Sequence, residues 1–115
     1  MSGGRWRLAV RNGSDVEKLR FETLDEAIAA TAERIDRVHR EGGLPPISAL
    51  RDFAPGQRVH ARLEIGGQGL RAPSGGIDVM GDGSVVAYEG GVRKRVLGAD
   101  TVDEALECLR DALRR

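Results

Sequence analysis

Arg5-Trp6-Arg7-Leu8-Ala9-Val10-Arg11-Asn12-Gly13-Ser14-Asp15-Val16-Glu17-Lys18-Leu19-Arg20-Phe21, running through Glu22 into Thr23-Leu24-Asp25-Glu26-Ala27-Ile28, decides the fold. Trp6, Leu8 and Val10 alternate with Arg5, Arg7 and Arg11, the period of a strand with one face buried and the other in water. Asn12-Gly13 interrupts the alternation with two residues that tolerate positive φ, which is a hairpin signal. A second strand over 17–21 sends Leu19 and Phe21 inward and Lys18 and Arg20 outward. The period then changes. Thr23 and Glu26 have the spacing of a capping box, with Asp25 and Glu26 at the positive end of a helix dipole. Leu24, Ala27, Ile28, Thr31, Ile35 and Val38 recur at three and four, so one stripe of that helix seeks a core. Gly42-Gly43 and Pro45-Pro46 end it near Arg40-Glu41. Strands followed by a helix that must cover one of their faces make an α+β architecture.

The rest of the chain extends this plan. Residues 42–57 carry Leu44, Ile47, Leu50 and Phe53 three apart, which predicts a connection tethered to the core rather than a free linker. From Arg58 to Ile65, Val59, Ala61, Leu63 and Ile65 alternate with Arg58, His60, Arg62 and Glu64. Gly66-Gly67-Gln68-Gly69 breaks the strand, and residues 70–76, small and interrupted by Pro73, read as a mobile loop. Ile77–Met80 and Val85–Tyr88 flank the turn Gly81-Asp82-Gly83-Ser84, and Val92–Leu97 suits a last strand. Thr101 and Glu104 repeat the capping box before a stripe of Val102, Ala105, Leu106, Leu109 and Leu113. The expected product is a single domain over 1–115, an antiparallel sheet of five or six strands with two main helices packed on one face. Its halves, 5–41 and 58–115 joined by 42–57, leave a duplicated hairpin-helix unit open.

Composition narrows the functions. The chain has 115 residues, 40% of them hydrophobic, which is enough for a core and excludes wholesale disorder. Its 18 basic and 18 acidic residues cancel, so it does not coat DNA by bulk attraction. No run approaches the roughly 18 apolar residues of a membrane span. The opening Met1-Ser2-Gly3-Gly4-Arg5 lacks the apolar stretch of a signal peptide, so a cytoplasmic protein is expected. One cysteine, Cys108, allows neither an internal disulfide nor a cysteine zinc cluster.

The chemistry-bearing residues are sparse. His39 sits among helix arginines, and His60 lies between Arg58 and Arg62, whose charge opposes a bound cation. Cys108 falls at the edge of an apolar helix stripe, far from the helix start, and reads as a small hydrophobe. Gly66-Gly67-Gln68-Gly69 precedes a loop rather than a helix and carries no Gly-Lys-Ser/Thr, so it is not a phosphate cradle. Gly81-Asp82-Gly83 lacks the later carboxylates of a calcium loop, and Asp78 and Asp82 read as hairpin residues. Ser14, Ser48, Ser74 and Ser84 have no histidine nearby. Neither catalysis nor a metal, cofactor or small-molecule substrate is expected.

One feature rises above this background. Strand parity gathers Arg5, Arg7, Arg11, Lys18, Arg20, Arg58, His60 and Arg62 on the sheet face opposite the helices, with Arg93 and Arg95 joining from the last strand and Glu64 the plainest acid among them. All basic residues but Lys18 and Lys94 are arginine, whose planar fork suits carboxylates and phosphates, although GC-rich coding produces the same bias. The plainer explanation is a solvated sheet face covered by long side chains. The functional one is a non-catalytic binding or adaptor domain for a protein partner, a second copy joined at an open sheet edge included. Nucleic acid bound through phosphates is the alternative. It ranks lower because single-strand binders stack bases on exposed aromatics, and of Trp6, Phe21, Phe53 and Tyr88 three are directed inward.

Overall fold

The computed structural model describes residues 5–42, 59–69, 72–81, 83–91, 93–98 and 101–114. Strands β1 (Trp6–Asn12) and β2 (Asp15–Phe21) form the first hairpin, and α1 (Leu24–Glu41) follows. After it come β3 (Val59–Gly67), β4 (Ser74–Met80), β5 (Val85–Glu89), β6 (Arg95–Leu97) and the closing helix α2 (Val102–Arg114). The strands make one antiparallel sheet in the order β2-β1-β3-β4-β5-β6.

Local rules account for most of these elements. Asn12 pairs with Asp15 as the last rung of the first hairpin, and only Gly13 of the expected turn pair has positive φ, at 65°. A glycine at the first central position of a two-residue turn matches the twist of the flanking strands. Thr23 accepts from the Glu26 amide at 3.1 Å while the Glu26 carboxylate accepts from the Thr23 amide at 3.1 Å, which completes the capping box. At α2 only half of the box forms: the Glu104 amide donates to the Thr101 hydroxyl at 3.1 Å, and the Glu104 carboxylate meets that hydroxyl instead of the backbone.

Register aligns the apolar residues into one continuous face. Val10 lies opposite Leu63, Leu63 opposite Ile77, Ile77 opposite Ala87, and Ala87 opposite Leu97. Both helices cover that face, α1 over β1–β3 and α2 over β4–β6, and they touch each other. Ala27, Ile35 and Val38 of α1 and Ala105, Leu109 and Leu113 of α2 share one buried cluster with the strands. Fully burying a side chain such as Leu63, Ile77 or Leu109 contributes about 1.5–3 kcal/mol. Among the described residues no helix covers the opposite face. Among the described residues two strands precede α1 and four lie between α1 and α2, so the halves share the order of hairpin and helix but not the strand count.

Four expectations need correction. Residues 74–76, taken as the end of a mobile loop, are the first part of β4, and Gly75 and Gly76 are buried. Glycine is required there by close approach: a Cβ on Gly75 would lie 2.6 Å from the Tyr88 carbonyl, and one on Gly76 would lie 2.7 Å from the Tyr88 hydroxyl. His60 does not stand on the bare face. The β3–β4 register slips between Val59 and Ala61, and the imidazole reaches the C-terminal end of α1 at Gly42. The same slip leaves Val59, expected inward, 41% exposed. Arg95 lies on the helix-bearing side, because it pairs with Glu89 two residues from the buried Ala87–Leu97 pair. The connection carrying Leu44, Ile47, Leu50 and Phe53, and Arg58 with it, lies outside the described residues.

Candidate binding face

Three rows of side chains cross the bare face. The first runs Arg20, Arg7, Gly66, Ser74; the second Lys18, Ala9, Glu64, Gly76, Tyr88, Val96; the third Val16, Arg11, Arg62, Asp78, Val86. Arg7, Arg11, Lys18, Arg20 and Arg62 are therefore brought together as the sequence predicts. Arg5 sits at the mouth of β1 beside Trp6, Gln68 and Leu113. Arg93 lines a shallow cleft with Glu89, Arg95 and Ala112, on the side of α2.

The rows divide the cations into two groups. In the middle of the sheet they are neutralised. Arg62 clasps Asp78 through two parallel bonds, Nε to Oδ1 at 2.8 Å and Nη2 to Oδ2 at 3.0 Å. That fork raises the Arg62 guanidinium further above its ordinary range, the hydrogen bond to Asp78 outweighing the opposing effect of burial. Arg11 Nε stands 3.6 Å from Glu64 Oε1. Asp78, read as a hairpin residue, is thus the principal counterion of the face, a role visible only once β3 and β4 are paired.

Toward β2 the second group has no such relief. Arg7 and Arg20 are directly opposed across the β1–β2 ladder, and Lys18 is the diagonal neighbour of Arg7 across Ala9. None of the three has a carboxylate within ion-pair distance among the described residues. Like charges directly opposite in a ladder are destabilising. The floor between them is low, since Ala9 and Gly66 offer almost no side chain. The result is an exposed cationic saucer rimmed by Arg7, Lys18 and Arg20, with the Arg11–Glu64 pair on its far side.

Tyr88 is the one aromatic of the described residues on this face, and it is covered. It lies across Gly76 at 3% exposure, with Lys94 Nζ 4.8 Å from the ring centroid on one side and Arg62 at 6.0 Å. Its hydroxyl is buried with no hydrogen-bond partner. Burial first, then the carboxylates of Asp78 and Glu64, hold the phenol well above its ordinary titration range. It offers no platform for a base.

Elsewhere the polar groups are committed to structure. His39 bridges the Ile35 carbonyl at 3.0 Å and the Gly83 carbonyl at 2.7 Å, tying α1 to the β4–β5 turn. It lines a cleft of about 390 Å³ with Asp36, Val102 and Leu106, where Asp36 is held by Arg40 at 2.9 Å. Cys108 is half-buried with Sγ 3.7 Å from the Gly98 carbonyl. Among the described residues no three His, Cys, Asp or Glu side chains converge as a metal site. No described helix is long and apolar enough to cross a membrane.

Sheet and helices define an α+β protein whose bare face is neutralised over β3–β4 and cationic over β1–β2. No protein family, curated protein or solved structure matches the chain.

Proposed function

We propose that this is a non-catalytic binding domain that takes an acidic protein partner on the β1–β2 half of its bare sheet face. The observation that carries the reading is the triad of Arg7, Lys18 and Arg20, cations set against one another without a carboxylate to offset them among the described residues. A protein that pairs Arg62 with Asp78 and Arg11 with Glu64, and leaves these three without such a partner among the described residues, presents them to something negative. Guanidinium forks favour carboxylates on a flat surface. Acidic polypeptide fits better than nucleic acid for two reasons. Among the described residues no exposed aromatic stands on the face to stack a base, and Glu64 and Asp78 interrupt the cationic track that a phosphate backbone would follow. The cytoplasm is the proposed compartment, since the lone half-buried Cys108 has no bridge to form and stays reduced there.

The test is binding of polyglutamate by fluorescence anisotropy against salt, beside a single-stranded and a duplex oligonucleotide. Polyglutamate should bind with an affinity that falls as salt rises, and Arg7→Glu with Arg20→Glu should abolish it while Arg93→Ala leaves it intact. Tighter binding of either oligonucleotide overturns the reading in favour of nucleic acid. Binding of neither removes the basic face as a site.

A further inference from the structure

We infer that the acidic partner docks as an added strand on the outer edge of β2, in an extended segment that alternates carboxylates with apolar residues. The inference rests on the basic-face reading above and adds to it how the partner is held.

The edge is built to receive a strand. β2 is 7 residues long, lies at the end of the sheet, and no described residue pairs with its outer side. Because Asn12 and Asp15 close a two-residue turn, the bonded rungs of the hairpin fall at Asn12–Asp15, Val10–Glu17, Leu8–Leu19 and Trp6–Phe21. The alternate residues, Val16, Lys18 and Arg20, therefore aim their backbone N–H and C=O groups away from β1. These are the residues whose side chains stand on the cationic face. Main-chain pairing and charge recognition coincide at Lys18 and Arg20.

The edge is also held still. Glu17 points to the helix side, where Arg34 of α1 grips it with Nε at 2.8 Å and Nη2 at 3.0 Å. A strand fixed on one flank by the ladder and on one face by a bidentate ion pair needs little ordering before it accepts another. On that same side Leu19 and Phe21 are only half-buried, leaving apolar surface for the next strand to cover.

Charge selects the occupant. A twofold antiparallel pairing of β2 with a second copy must match outward residues with outward residues. Across the registers this sets Asp15 against Glu17, Glu17 against Glu17, Lys18 against Lys18, Lys18 against Arg20, or Arg20 against Arg20. Every choice places like charges opposite one another, which is how edges are protected from their own kind. An acidic strand meets the opposite condition. Carboxylates two residues apart would face Lys18 and Arg20, and the intervening apolar residues would cover Leu19 and Phe21.

The probe is a short, acetylated, fluorescein-labelled peptide in which valine alternates with aspartate, titrated against the intact chain. Lys18→Glu with Arg20→Glu should weaken binding by about tenfold or more, since two favourable cross-strand pairs become repulsive. Val16→Pro deletes an outward N–H without touching the β1 ladder or any cation, so it should also weaken the peptide by about tenfold at unchanged melting temperature. Bound peptide should slow hydrogen exchange at the Val16, Lys18 and Arg20 amides. If Val16→Pro binds like the parent while the charge reversal does not, strand addition is overturned and the basic face survives as a docking surface. If the parent does not bind, both fail. A concentration-dependent dimer abolished by Val16→Pro would make a second copy the occupant, and tighter binding of an oligonucleotide would make it nucleic acid; either overturns the inference.

Discussion

Replacing Tyr88 by Phe should make the protein more stable. The ring is 3% exposed, yet its hydroxyl is buried without a hydrogen-bond partner. A buried, unsatisfied polar group costs about 1–3 kcal/mol, whereas a satisfied tyrosine hydroxyl contributes about 0.5–1.5 kcal/mol. Phenylalanine keeps the ring against Gly76 and both cations, Lys94 at 4.8 Å and Arg62 at 6.0 Å, and removes only the orphan oxygen. Tyr88→Phe is therefore expected to gain about 1 kcal/mol, a rise of about 4–8 °C in Tm for a domain near this size. Urea unfolding followed by circular dichroism and by Trp6 fluorescence should show a higher midpoint at unchanged slope. The alkaline limb gives an independent check. The phenol's folded titration point is raised, by burial first, so it leaves stability independent of pH below the unfolded value of about 10 and lowers it as pH climbs beyond that. Tyr88 is the only tyrosine, so Tyr88→Phe should flatten that decline. A destabilisation of about 1 kcal/mol would mean that the hydroxyl has a partner and would refute the reasoning.

Other substitutions probe the face and its supports. Asp78→Asn frees Arg62, whose side chain is 34% exposed against 13% for Asp78. It should lower stability by about 1–2 kcal/mol, between the values for surface and buried pairs, and strengthen polyglutamate binding at low salt. Gly76→Ala drives a methyl into the Leu63 carbonyl and the Tyr88 hydroxyl, and with no positive φ to complicate it should cost about 2 kcal/mol or more in urea unfolding. Thr23→Ala removes the capping-box acceptor of α1 and should cost about 1 kcal/mol in the same assay without changing binding.

The contrast between what the sequence predicts and where side chains stand follows the range of the forces involved. Strands β1 and β3 are legible because alternation is a local property, and α1 because Thr23, Glu26 and Gly42 mark its ends within a few residues. The start of β4 is not, since Ser74-Gly75-Gly76 has the composition of a loop, and its need for glycine comes from Tyr88 and Leu63 in other strands. His60 escapes for the same reason: the slip that turns it toward α1 belongs to the pairing of β3 with β4. Arg95 is ambiguous in sequence because Val96-Leu97 places two apolar residues together, and only pairing with β5 shows that Leu97 is buried while Val96 is 66% exposed. The division of the cationic face depends on Asp78 standing opposite Arg62, a coincidence of register that no single segment encodes.

That division also explains how a protein with no net charge can present a cationic surface. Carboxylates outnumber cations on both helices, so the acid that balances the sum lies on the far side of the sheet. An α-helix with its side chains is about 10–12 Å across, and charges on its outer surface stand at least that far from the saucer around Ala9. The screening length at physiological salt is about 8 Å. A ligand approaching β2 therefore feels Arg7, Lys18 and Arg20 at nearly full strength, while the compensating carboxylates are largely screened. At low salt the screening length grows to about 30 Å, and the two layers begin to cancel. Attraction to an acidic strand should then rise less steeply on dilution than three free cations alone would give. A salt slope as steep as that of three independent contacts would show that the helix layer plays no part in the field.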